Sequence, residues 1–127
     1  MFFMRKKIKL DVYSCNAHFI LAEKFDKVCS SIYKKSNEKY DEEFDSAEGT
    51  VICFDMNNYY LVINKKYLSY NTISHEIYHL VREILKDRGI EDDEAGAWMC
   101  GMFTDVAMKF FYKKPKQCSQ TDSLNLE

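Results

Sequence analysis

The spacing of hydrophobic and polar residues changes period several times along this chain, and each change predicts an element. Ile8, Leu10 and Val12 alternate with Lys7, Lys9 and Asp11, the period-two pattern of a strand with one buried and one wet face. Across residues 16–35, Leu21, Phe25, Val28, Cys29 and Ile32 recur at helical spacing with Glu23, Lys24, Asp26 and Lys27 on the other side, which predicts an amphipathic helix. Residues 36–47 are dominated by charge, with Tyr40 and Phe44 the only large apolar groups, and read as a fraying helix end or a surface loop. Two β-rich runs, 50–56 and 59–64, flank Asn57-Asn58. Asparagines tolerate the positive φ of a tight turn, so a hairpin is expected. Asn71 or Thr72 can cap a following helix whose apolar stripe is Ile73, Ile77, Leu80, Val81, Ile84 and Leu85, ended by Gly89. Asp92 or Asp93 can cap a last helix over 94–112, which Pro115 stops.

These elements make an α+β chain: a small antiparallel or mixed sheet of about three strands, an N-terminal helix and two C-terminal helices. At 127 residues it suits one domain, placed at 1–115, with 116–127 as a polar, flexible tail. Hydrophobic residues at 46% and a net charge of -2 exclude a disordered chain and argue against a nucleic-acid partner. The short basic runs Arg5-Lys6-Lys7 and 113–116 read as solvated flanks. Cys15, Cys29, Cys53, Cys100 and Cys118 are odd in number, widely spaced and without a CxxC pair. That argues against a disulfide scaffold and for reduced thiols in a cytoplasm. No secretion signal and no run of eighteen apolar residues is visible, so neither export nor a membrane span is expected.

Candidate chemistry lies on the second-to-last helix. His75-Glu76-Ile77-Tyr78-His79 is an HExxH arrangement, and residues four apart on a helix share a face, so two imidazoles can reach one metal ion. Glu76 then stands where a general base can take a proton from the attacking water. A catalytic zinc usually has three protein donors. His18 is the only other histidine and is far away in sequence, whereas Glu94 follows His79 after fourteen residues, on a helix joined by a short connection. Glu94 is therefore the expected third ligand. Ala97 and Gly101 would let its helix approach closely, and Trp98 would wall the site. Glu91, Asp92 and Asp93 compete as donors but serve equally as caps. In the plainer reading, Glu94 is a first-turn acid at the positive helix N-terminus and the histidines are boundary residues. Tyr78 points away from His79 and is expected to pack in the core. Two imidazoles and a carboxylate suit zinc, but also iron, cobalt or nickel.

The order of strand, helix, hairpin, HExxH helix and Glu helix resembles the minimal core of zincin metallopeptidases of the gluzincin type, over about residues 50–111. More narrowly, Glu94-Ala95-Gly96-Ala97-Trp98-Met99 resembles the Glu-Ala-Asn-x-Phe-Ala segment of the ImmA/IrrE family. Residues 94–103, Glu-Ala-x-Ala-Trp-x-x-Gly-x-Phe, are closer still to small zincin-like proteins of bacteriophages and prophages. The resemblance implies Zn2+ on His75, His79 and Glu94, with Glu76 as base. The chain departs from the larger peptidases in a shorter gap between motifs and in Trp98 where thermolysin-like enzymes place an aspartate, and a second domain for substrate is not expected.

The expectation is a cytoplasmic, phage- or prophage-encoded zinc metallopeptidase acting on a protein or peptide substrate, which a hairpin edge could align by β-augmentation. The alternative is an inactive or structural zinc-binding accessory protein that acts by binding a partner.

Overall fold

The computed structural model describes residues 3–39 and 47–113. The expected polar tail, Pro115 and Cys118 lie outside the described residues, as do Tyr40 and Phe44. Four strands and three helices follow one another as β1 (Phe3–Leu10), β2 (Cys15–Ala22), α1 (Phe25–Lys35), β3 (Gly49–Cys53), β4 (Asn58–Asn64), α2 (Tyr70–Asp87) and α3 (Asp93–Phe111). The sheet order is β1-β2-β4-β3, with β2 and β4 parallel and both outer pairs antiparallel. The fold is thus α+β with a mixed sheet.

Alternation along the two central strands builds two cores. Ala17, Phe19 and Leu21 of β2, with Tyr59, Leu61 and Ile63 of β4, face α2 and α3. Ile20, Ala22 and Val62 face the opposite way and pack on Phe25, Val28, Cys29 and Ile32 of α1. Because β2 is covered on both faces, it reads as a nearly continuous apolar run rather than an alternating one. This is why residues 16–22, which the helical spacing assigns to the N-terminal helix, form a strand instead: Leu21 shares that spacing but belongs to β2, and α1 begins only at Phe25.

Two smaller corrections concern turns. Val12, expected to continue the first strand, lies in a 3-10 turn at Asp11–Tyr13 and is 87% exposed. In the β3–β4 hairpin the positive φ of 63° falls on Met56 rather than on Asn57 or Asn58. The Asp55 carboxylate accepts from the Asn57 and Asn58 backbone N–H groups at 2.9 and 3.1 Å, holding the turn by a side chain.

Arg88 ties the loops at one end of the sheet. Its guanidinium donates to the Tyr13 carbonyl (3.0 Å), the Met56 carbonyl (2.8 Å) and the Tyr59 hydroxyl (2.8 Å). Tyr59, fully buried, donates in turn to Asp87. No helix among the described residues is long and apolar enough to cross a membrane. The four described cysteines are all free thiols.

Candidate functional site

Helix α2 is fixed at both ends before its chemistry is considered. Ser69, rather than Asn71 or Thr72, is the cap: its hydroxyl accepts from the Thr72 N–H at 3.0 Å. Thr72 in turn donates through its hydroxyl to Glu48 at 3.1 Å, which binds the start of α2 to the chain entering β3. At the far end Gly89 has a φ of 66°, and Ile90 N–H donates back to the Leu85 carbonyl at 2.9 Å, a glycine-terminated stop. Burying Ile73, Ile77, Leu80, Val81 and Ile84 leaves His75 and His79 on the outer side of the helix.

The two imidazoles meet. Their Nε2 atoms are 3.1 Å apart and the rings are perpendicular-edged at 4.7 Å between centroids. Two nitrogens bound tetrahedrally to one zinc at about 2.0–2.1 Å would stand about 3.4 Å apart, so the pair fits a shared ion with a shift of a few tenths of an ångström.

Glu76 projects from the same helix toward β3 and is only 6% exposed. No described residue gives its carboxylate a hydrogen bond, and His75 Nε2 stands 4.0 Å from its Oε2. Burial pushes this carboxyl above its ordinary value; His75 and His79 pull it down and Glu48 pushes it further up. A buried carboxylate without donors is costly unless something else uses it.

What lets Glu76 sit there is Gly49. A Cβ on residue 49 would lie 2.9 Å from Glu76 Cγ, 3.1 Å from Ile63 Cδ1 and 3.1 Å from the Val62 carbonyl oxygen. Gly49 is thus a site residue that the sequence pattern did not mark, because close approach of a strand to a helix leaves no periodic signal. Strand β3 contributes Gly49, Thr50, Val51 and Cys53 to a cleft of about 390 Å³, and α2 contributes His75, Glu76, His79 and Glu83. Glu83 belongs to no motif either, although it stands four residues beyond His79 and seven beyond Glu76, on the same side.

Among the described residues β3 is an edge strand. Asn64 N–H donates to the Glu48 carbonyl at 2.9 Å, and antiparallel alternation from that pair turns the backbone groups of Gly49 and Val51 away from β4, toward the free edge. An extended chain added there would run along the cleft.

Other expected residues lie elsewhere. Glu94 is exposed in the first turn of α3, where its N–H bonds the capping Asp92 carboxylate at 3.1 Å. Among the described residues no third His, Cys, Asp or Glu joins the histidine pair in a group able to hold a metal ion. The buried stripe of α3 is Met99, Phe103, Ala107 and Phe111, and Ala97 and Gly101 face solvent. The close packing of α3 on α2 falls to Gly96, whose Cβ position lies 3.6 Å from Leu85 Cδ1. Trp98 is 66% exposed and does not line the histidine cleft. Tyr78, expected in the core, is 54% exposed with Arg82 bonded to its hydroxyl at 3.3 Å. It borders a larger hollow of about 640 Å³ between α2 and α3, which contains neither histidine of the motif.

His18 is fully accounted for by structure. It is buried in β2, accepts from Arg5 at Nδ1 (2.9 Å), donates from Nε2 to Asn58 Oδ1 (2.9 Å) and stacks on Tyr60 at 4.6 Å. Since Arg can only donate and an amide oxygen only accept, this histidine is the neutral Nε2–H form. Comparison with protein-family models, curated proteins and solved structures finds no match.

Proposed function

We propose that this chain is a metal-dependent peptide hydrolase of the small zincin type, phage- or prophage-encoded and working in a cytoplasm. His75 and His79 would hold a zinc ion, and Glu94 is the donor the sequence offers to complete it. Such an ion supplies Lewis-acid chemistry to the carbonyl under attack. Glu76 acts as general base, taking a proton from the attacking water, and burial raises its affinity for that proton. Backbone groups at the free edge of β3 hold the substrate extended beside it.

The observation that carries this reading is Glu76 itself: a buried carboxylate with no hydrogen-bond donor among the described residues, next to paired imidazoles and facing an edge strand. The test is zinc-supplemented digestion of unfolded β-casein by the native chain and by Glu76→Gln. Cleavage by the native chain alone supports the reading; equal cleavage by both, or by neither, removes it.

A second reading is favoured by one observation, the exposed position of Glu94 away from the histidine pair. In it the chain is an inactive zincin-shaped accessory protein that binds a partner, and Glu76→Gln leaves its function unchanged.

A further inference from the structure

We infer that the cleft selects extended peptides carrying a lysine or arginine two or three residues from the bond under attack, with Glu83 receiving that cation. The inference rests on the peptide-hydrolase reading of the same cleft and adds a substrate class to it.

Glu83 is half-buried and lines the cleft with His75, Glu76 and His79. No described residue gives it a hydrogen bond or an ion pair, unlike Asp105, Glu23 or Asp87, which each have a partner. Among the described residues no lysine or arginine lines the cleft, and Glu48 lies close enough to Glu76 to act on its charge. Beyond the histidine pair, Glu83 is thus an acidic group facing a stretch of cleft without a described cation, complementary to a cationic side chain.

The distances set where that side chain falls. β3 runs alongside α2 in the same direction, since Gly49 abuts Glu76 while Cys53 at the other end feels the charge of Asp87. A peptide on the free edge of β3 thus passes the histidines and then Glu83. From the middle of the histidine pair at Ile77 to Glu83 is six residues, about 9 Å of helix rise. An extended chain covers that in two to three residues at about 3.3 Å each, within reach of a long basic side chain.

The test is fluorescence anisotropy with the full chain carrying Glu76→Gln, so that binding is read without turnover. The probes are fluorescein-labelled ten-residue peptides of Ala, Thr and Val, with one lysine moved through the sequence, and a matched set bearing glutamate. The lysine set should bind about fivefold tighter than the glutamate set at one or two positions, with the preference weakening at high salt. Adding Glu83→Gln should erase that ratio, and Glu83→Lys should reverse it. Circular dichroism melts check that both variants stay folded, as expected for a half-buried side chain without partners among the described residues. Peptides that bind with no charge preference, or a preference that survives Glu83→Gln, overturn the inference and leave the hydrolase reading standing. Failure of every peptide to bind overturns the peptide cleft itself, and the inference with it.

Discussion

Replacing Gly49 by alanine adds one methyl group where the structure leaves no room for it. The new carbon would meet Glu76 Cγ at 2.9 Å and the Val62 carbonyl at 3.1 Å. The first neighbour belongs to a side chain held 6% exposed against β3, and the second is backbone inside the sheet. Neither gives way freely. Overpacking of this kind costs about 1–3 kcal/mol. Alanine recovers about 0.4–1 kcal/mol by restricting the unfolded chain, so the net loss should be about 1–2 kcal/mol, measured as a lower urea midpoint at unchanged slope. Glu76→Ala removes the atoms in the way, so the double variant should lose less than the sum of the singles, with a coupling of about 1 kcal/mol. Because the alanine must displace the Glu76 side chain from its present position, casein cleavage should fall well beyond what the stability loss accounts for. A Gly49→Ala chain as stable as the native one, with no coupling to Glu76, would refute the close approach from which the site is built.

Other consequences follow from the same geometry. Gly101 sits on the exposed side of α3 with nothing within 4 Å of a Cβ, so Gly101→Ala should stabilise by about 0.5–1 kcal/mol in the same urea titration. Arg88→Met strips donors from two carbonyls and the Tyr59 hydroxyl and should cost about 2–4 kcal/mol, whereas Tyr59→Phe should cost about 1–2 kcal/mol. Burial first, and then the Arg5, Lys7 and Lys35 cations, hold His18 below the usual histidine range against the opposing Asn58 hydrogen bond. The unfolded chain therefore binds the proton more readily, so stability is fully present above about pH 6.5 and declines as pH falls below it toward the folded-state value. His18→Gln should remove that decline, as read from the difference between native and variant melting curves across pH 5–8.

How much was legible from sequence depended on how many faces each element buries. Helix α2 buries one stripe, so Ile73, Ile77 and Leu80 announce both the helix and the outward side on which His75 and His79 stand. The hairpin was legible from two β-rich runs around an asparagine turn, and the Asp92 cap because its chemistry is local. Strand β2 was not, because covering on both sides erases alternation and leaves Cys15–Ala22 without a period. Helix α3 was found, but its rotation was not. Apolar residues occur nearly all the way round it, so Ala97, Gly101 and Trp98 could be assigned to the inner side on spacing alone, while Met99, Phe103 and Ala107 take that place. The position of Glu94 went with that rotation. Gly49 and Glu83 depend on how an edge strand lies against a helix, a tertiary relation that neither segment encodes by itself.

The central claim is that His75 and His79 form a metal pair served by Glu76, and zinc titration of chelator-stripped protein tests it most directly. Native chain, His79→Ala and Glu94→Ala should be compared by isothermal calorimetry, with bound zinc counted by elemental analysis. The account predicts about one zinc per native chain and loss of binding in His79→Ala, while the response of Glu94→Ala decides whether that carboxylate completes the set. Zinc that fails to bind the native chain, or binds His79→Ala equally well, would contradict it.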